Sequence, residues 1–320
     1  MDTDHELDSG RRRTLVAGGA AMAALVASTP GAALGQIGAP PPSTGSLPVQ
    51  DIQRILRSTG HVSGPVLHIT QLRGDLNNVV GPANIPFRPA FAVHNSFYFQ
   101  ATANGGAILN GEFSLQAREI NAVIDRILVT GMEFQALHQH FFDLEPQIWQ
   151  VHVRGQGSPY AIARALEFVV RATGTPLPQV APLNPTSPLD ARRLGQLLGG
   201  LVEIHPGGVV AVTIPRREQI TLNGVPVDPR LGVSHEILFE PLVDGRTAVA
   251  PALALVVGGE VGSVMGFMRK QGFDIHALVN HEKAEVPQLF FAHLLAVGNP
   301  YYYARVIRQA LQLTNTRFLF

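Results

Sequence analysis

One stretch of the chain, ALHQHFFDLEPQIWQVH (Ala136–His152), recurs 141 residues later as ALVNHEKAEVPQLFFAH (Ala277–His293). The two copies share an Ala-Leu pair, a Pro-Gln pair and two histidines without a gap. The same spacing relates a third pair of histidines, His94 and His235. The 12 histidines of the chain would give about a quarter of one such pair by chance, against the three observed. The chain therefore contains one supersecondary unit twice.

Proline-rich segments and the repeat itself divide the chain. Repeat 1 is assigned to residues 47–175, a Pro-rich linker to 176–187 and repeat 2 to 188–320. Residues 36–46 are rich in Pro, Gly and Ser, which is typical of a flexible tether. The sequence therefore predicts two tandem homologous domains.

Helix and strand signals recur in the same order in both repeats. Short helices are expected at Val49–Arg57 and at Leu189–Leu198, the second capped by Ser187. Central helices are expected at Ala117–Thr130 and Gly259–Gln271. β-branched runs predict strands on either side of them, and Asn223-Gly224 predicts a hairpin turn. The fold class is α+β, each domain being a small antiparallel or mixed sheet covered by helices.

Composition excludes several classes of protein. Apolar content of 46% with charged content of 15% is typical of a globular chain. The formal net charge is zero, so there is no electrostatic footprint for nucleic acid. Cysteine is absent, which excludes disulfides, thiolate nucleophiles and thiolate metal sites. Any metal must be bound by histidine, carboxylate or backbone oxygen.

The N-terminus has the pattern of an export signal, assigned to residues 1–35. Arg11-Arg12-Arg13 precede the apolar run Leu15–Val26, which is too short to span a bilayer. The sequence RRTLV fits a twin-arginine signal, and an ordinary secretory signal remains the alternative. The mature protein is expected to be periplasmic or secreted, with no membrane span.

Strand periodicity places several histidines of repeat 1 together. In the strand Phe134–His140, alternate residues share a face, so Phe134, Ala136, His138 and His140 should project together. The next strand carries His152, and a third strand-like run carries His94. Imidazoles from separate strands can converge on one metal, with a carboxylate as base or oxygen ligand. The predicted metal ligands are His94, His138, His140 and His152, and the predicted catalytic carboxylates are Glu145 and Glu119.

Repeat 2 carries a poorer version of the same set. His235, His281 and His293 remain, but the positions equivalent to His138 and Glu145 hold Val279 and Val286. Repeat 2 is therefore either degenerate or structural, or the histidines of the two repeats face each other across the domain joint. A competing interpretation applies to all of them: a buried histidine often only hydrogen-bonds a core group, and duplication would copy such residues too.

The repeated motifs resemble the LppY/LpqO family, exported bacterial proteins whose domain has no assigned function. The resemblance covers about residues 50–315 and lies in Glu119, Gly131, H-x-H at His138 and His140, Glu145-Pro146, His152 and the ARAL of Ala163–Leu166. The pattern occurs twice in such proteins, as it does here. This chain departs from the family in lacking a lipobox cysteine, so no lipid anchor is implied.

These observations lead to two hypotheses of function. The first is an exported protein that binds a divalent transition metal, zinc before copper, because imidazole suits both. Zinc lowers the pKa of bound water to about 7, so the chemistry of an enzyme here would be metal-dependent hydrolysis in the cell envelope. The alternative is a non-catalytic periplasmic protein that binds a ligand or partner and has structural histidines. The ligand is an unknown small molecule or a cell-envelope component in either case.

Overall fold

Each repeat builds an antiparallel six-stranded sheet with helices on one face, in a computed structural model that describes residues 45–180, 185–256 and 258–320. The predicted export signal, 1–35, and most of the tether lie outside the described residues. In repeat 1 the elements are α1 (Val49–Leu56), β1 (His61–Ser63), β2 (Val66–Leu72), β3 (His94–Ala101), β4 (Ala107–Leu115), α2 (Ile120–Val129), β5 (Glu133–His138), β6 (Trp149–Gly157) and α3 (Pro159–Val170).

Repeat 2 gives the same series with a small additional sheet. Its elements are α4 (Ala191–Leu198), β7 (Leu201–Ile204), β8 (Val210–Ile214), β9 (Thr221–Leu222), β10 (Val225–Pro226), β11 (His235–Pro241), β12 (Thr247–Leu255), α5 (Val261–Lys270), β13 (Asp274–Val279), β14 (Glu285–Val286), β15 (Phe290–Gly298) and α6 (Pro300–Leu311). Among the residues described, no helix has both the length and the apolar character needed to cross a membrane.

The two large sheets have the same topology. Their strand orders are β1-β2-β3-β4-β6-β5 and β7-β8-β11-β12-β15-β13. Every neighbouring pair is antiparallel, as in β4 against β6 and β12 against β15. The duplication expected from the sequence and the α+β class are both confirmed.

The helices of each repeat cover one face of its sheet. In repeat 1, Leu56 of α1, Ile127 of α2 and Leu166 of α3 pack with strand residues such as Phe97 and Val151. The core of repeat 2 is arranged in the same way, with α4, α5 and α6 packed against β8, β11, β12 and β15. Burial of these apolar side chains is the main stabilising contribution to each layer pair.

The uncovered faces of the two sheets pack against each other. One shared core joins Phe87 and Phe141 of repeat 1 to Leu238 and Ala250 of repeat 2. A second shared core joins Ile108 of repeat 1 to residues of repeat 2, among them Leu222, Leu231 and Phe291. The layer order is therefore helices, sheet, sheet, helices. The sequence predicted the helix-covered face of each sheet and left a contact between the repeats as one alternative for their histidines.

Two local predictions can be compared with the backbone. Asn223 and Gly224 form the expected hairpin turn between β9 and β10, with φ values of 49° and 75°. Helix α4 starts two residues later than predicted, because Asp190 caps it by accepting a hydrogen bond from the Arg193 N–H. The predicted cap, Ser187, instead accepts a hydrogen bond from the Leu189 N–H.

A β-bulge changes the predicted faces of β5. Phe134 lies opposite Val153, whereas Ala136 lies opposite His152, so Gln135 is an extra residue in the strand. Phe134 therefore packs towards the helices, and His138 projects towards the other sheet. The prediction that Phe134 shares the histidine face is wrong, because strict alternation fails at the bulge. Repeat 2 has its own register shift at the matching place, between Ile275 and Ala277.

Candidate metal centre

The histidines of the duplicated motif meet between the two sheets. His152 lies in β6 and His293 at the equivalent place in β15. His138 ends β5, and His140 and His281 lie just beyond β5 and β13. The bulges described above turn these strand ends towards the opposite sheet. Both repeats therefore contribute to one cluster. This is the alternative from the sequence in which the histidines of the two repeats face each other.

Four histidines form the larger of two close groups of ligand atoms. His138, His140, His281 and His293 each offer a ring nitrogen, and these four atoms lie within 4.8 Å of one another. The His281 and His293 Nε2 atoms are 3.1 Å apart. The rings of His140 and His293 stack with centroids 3.8 Å apart. Histidine nitrogens at such separations are close to the spacing of ligands around one metal ion.

The nitrogens of the cluster are enclosed and incompletely hydrogen-bonded. His140, His281 and His293 are buried, and His138 is half-buried. Among the described residues, the Nε2 atoms of His138, His140 and His152 are buried without a hydrogen-bond partner. An unpaired buried polar atom is costly, so a ligand for these lone pairs would stabilise the fold.

Burial keeps these imidazoles neutral. It lowers the pKa of His138 to about 4. Burial lowers the pKa of His140 well below its ordinary value, and the rings of His293, His138 and His152 lower it further. The pKa values of His152, His281 and His293 are lowered by the same causes. Neutral imidazole is the form that binds a metal, so the cluster is in its ligating form at neutral pH.

A carboxylate that the sequence did not single out lies beside the cluster. Glu112 of β4 lies opposite His152 of β6, so both side chains project towards repeat 2. Glu112, His140 and His152 form a second group whose ligand atoms lie within 4.8 Å. Burial raises the pKa of Glu112 to about 8, and the carboxyls of Glu236 and Glu282 add to the shift. The signal available in the sequence was one charged residue inside the apolar run of β4.

Two predicted ligands lie outside both groups. His94 is half-buried beside His205, with ring centroids 6.5 Å apart, and its Nδ1 is 3.0 Å from the Pro89 carbonyl oxygen. His235 accepts a hydrogen bond at Nδ1 from the Ala254 N–H, and its Nε2 is 2.9 Å from the Thr316 hydroxyl. Both ring nitrogens of His235 are thus occupied within the core.

The two predicted catalytic carboxylates also lie elsewhere. Glu119 is buried and accepts hydrogen bonds from the Arg73 guanidinium at 2.9 and 3.0 Å. It also accepts from the backbone N–H groups of Gln116 and Gly174. Glu145 is exposed, and its backbone pairs with that of Val80. Neither carboxylate belongs to a histidine group, because one is engaged in an ion pair and the other faces solvent.

A small cavity between the sheets borders the cluster. Its volume is about 140 Å³, and both repeats line it. His140, His152, His281 and His293 form part of its wall together with Glu112. Such a volume admits a few water molecules or a small ligand. The cluster therefore has an adjacent space in which a ligand can approach.

Comparisons with known proteins give a family and no activity. The family model described as Domain of Unknown Function (DUF1259) matches residues 50–172 and again residues 192–313. No curated protein matches the chain. A trimeric bacterial microcompartment shell protein, PduB, is 12% identical over 81% of this chain and 96% of its own, with a TM-score of 0.20, which is too low to indicate a shared fold. Because the matches span most of the sequence, this chain belongs to the family described as Domain of Unknown Function (DUF1259), in two tandem copies.

Proposed function

We propose that this protein binds a divalent transition metal between its two repeats. The ligands are imidazole nitrogens of His138, His140, His281 and His293. The observation that carries the proposal is the approach of these four atoms to within 4.8 Å of one another in a buried cluster. The unpaired Nε2 atoms of His138 and His140 and the lowered pKa values of all four rings support it, because a metal ion binds neutral imidazoles through such lone pairs.

Zinc is the first candidate for the ion, and copper is the second. Both accept imidazole ligands, and the chain has no cysteine to favour a softer ion. Zinc–nitrogen bonds of about 2.1 Å place tetrahedral ligands about 3.4 Å apart. The ligand atoms, which lie within 4.8 Å of one another, would have to approach by up to about 1.4 Å to reach that spacing.

Metal-dependent hydrolysis is the reaction that such a centre supports best. Four imidazoles fill a tetrahedral ion, so the hydrolytic water must add as a fifth ligand, from the cavity side that His140, His281 and His293 line. Glu145 and Glu119 take no part in this proposal because they lie outside the cluster. The N-terminal pattern and the resemblance to LppY/LpqO proteins favour export, so the reaction would take place in the cell envelope.

The alternative function is ligand or partner binding with structural histidines. The 3.1 Å approach of His281 Nε2 to His293 Nε2 favours it, since one ring can donate to the other without any metal. His235 is an example of such a core histidine in the same molecule.

Elemental analysis of the full chain purified without added metal distinguishes the two functions. We expect about one or more equivalents of zinc or copper, and less than about 0.2 equivalents would overturn the proposal. His138→Ala and His293→Ala, one from each repeat, should both lose metal while circular dichroism shows an intact fold. His61→Ala is the matched control, because that side chain is 64% exposed. Unfolding of both variants from a protein that never contained metal would support structural histidines.

A further inference from the structure

A second ligand group adjoins the four-histidine centre on the side of repeat 1. Glu112 and His152 are directly opposed across β4 and β6, which fixes both on the face that meets the other sheet. Glu112 Oε1 is 3.9 Å from His140 Nδ1, and Glu112 Oε2 is 3.7 Å from His152 Nε2. The group therefore holds one carboxylate between two imidazoles.

These separations fit ligands of one ion better than hydrogen bonds. A hydrogen bond between nitrogen and oxygen is about 2.7–3.2 Å long, and both distances exceed it. Two ligands of one tetrahedral zinc lie about 3.4 Å apart, slightly less than the distances found here. His152 Nε2 is also buried and lacks a hydrogen-bond partner among the described residues. A cation between the three groups would engage all of these atoms.

Repeat 2 supplies the support behind His152. Its other ring nitrogen, Nδ1, is 3.9 Å from Glu282 Oε1. Arg154 holds Glu282 through a 2.6 Å hydrogen bond from Nη2 to Oε2, and all three side chains are at least 96% buried. A carboxylate that accepts a hydrogen bond from the second ring nitrogen of a metal-binding histidine orients the ring and raises its basicity. The pair must close by about 0.7 Å to form that bond. Glu282 Oε1 has no hydrogen-bond partner among the described residues, which leaves it free for this role.

His140 belongs to both groups. Its Nδ1 faces Glu112, while its Nε2 is buried and has no partner within the described chain. We propose that the protein has a binuclear centre, in which Glu112, His152 and His140 bind a second divalent cation beside the four-histidine ion. His140 is the shared ligand, with Nδ1 towards the second ion and Nε2 towards the first, and its N–H proton is released to solvent when both ions are bound. This inference rests on the proposed function and extends it to a second, carboxylate-containing site.

Zinc titration of the chelator-treated full chain, with elemental analysis after desalting, tests the second site. We expect two equivalents in the native protein and one in Glu112→Gln, because the amide does not replace the carboxylate charge. Glu145→Gln is the matched control and should keep two, since Glu145 is exposed. His140→Ala should lower occupancy of both sites.

Glu282→Gln provides a second measurement that does not remove a ligand. It should weaken the second equivalent about 10–100-fold and leave the affinity of the first unchanged. One equivalent in the native protein, with Glu112→Gln identical to it, would overturn the binuclear centre and leave the single-metal proposal standing. Two equivalents retained in Glu112→Gln would place the second ion elsewhere and also overturn it. No zinc in the native protein would overturn both proposals.

Discussion

At the scale of single residues, burial determines the protonation of the site. Among the described residues, nine histidines have a lowered pKa and five glutamates a raised one. A histidine that stays neutral in the fold binds fewer protons than it does unfolded, and a raised glutamate has the opposite effect. The histidines outnumber the glutamates, so between about pH 6.5 and pH 4.5 the unfolded chain binds more protons.

The metal-free protein should therefore lose stability in acid. Stability that the lowered histidine pKa values contribute is present above pH 6.5 and is lost as the pH falls towards 4, the value for His138. We expect the thermal midpoint to fall from pH 7 to pH 5, measured by circular dichroism after chelation. Saturating zinc should reduce the loss at pH 6, because it occupies the same lone pairs. A midpoint that rises as the pH falls would contradict this.

The residues of the site differ in how visible they were in the sequence. The sequence showed four of the histidines because the duplication repeats them: His140, His152, His281 and His293. It showed His138 because that residue lies two positions before His140 in the same predicted strand. Glu112 was missed because it occurs in only one copy: Ala252 takes the equivalent place in repeat 2, opposite His293 in β15. A repeat comparison detects what both copies retain and overlooks what only one copy has.

At the scale of elements, a buried ion pair fixes the start of each central helix. Arg73 binds Glu119 before α2, and Arg216 binds Glu260 before α5 at 2.8 Å. Each arginine also binds a nearby acidic residue, Asp75 or Glu218. The pairs are equivalent in the two repeats, so they belong to the duplicated scaffold. The carboxylate at the helix start therefore serves the fold.

Glu119→Gln should destabilise the protein without removing metal. Loss of the Glu119 charge removes one of two acidic partners of the buried Arg73, the other being Asp75, and costs about 3 kcal/mol of the free energy of unfolding. Urea denaturation measures that loss, and elemental analysis should show metal content equal to that of the native protein. The exposed Glu145→Gln should change stability by less than about 0.5 kcal/mol. Loss of metal at unchanged stability would restore Glu119 to the site.

Local sequence patterns predicted the helices, strands and turns better than they predicted what packs against them. The central helix, the hairpin at Asn223-Gly224 and the β5–β6 strands follow from apolar spacing and turn residues. The burial of the second sheet face did not follow, because it carries polar residues such as Asn110, Gln150 and Arg154. Alternating polar residues are typical of a solvent-facing strand surface. Here the other repeat covers them, which is a tertiary effect without a local signal.

At the scale of the whole molecule, the two repeats are joined by their sheets. The shared cores draw residues from both repeats, so neither inner face is buried without the other. Arg154 of repeat 1 also binds Glu282 and the Lys283 carbonyl of repeat 2. Duplication has therefore produced one structural unit around a composite site. The tandem arrangement is what brings histidines from distant parts of the sequence into one cluster.

The two repeats should consequently unfold together. The single tryptophan, Trp149, lies in repeat 1, so its fluorescence reports on that repeat alone. Far-ultraviolet circular dichroism reports on both repeats. We expect the two signals to give coincident urea transitions, because loss of one sheet exposes the inner face of the other. Zinc at about 100 times its dissociation constant should shift both curves equally, by about 2.7 kcal/mol in the free energy of unfolding. The contradicting outcome is a fluorescence transition of Trp149 at low urea, followed by a separate dichroism transition at higher urea. That outcome would mean that the repeats fold independently, and a metal shift confined to one of them would contradict a centre built from both.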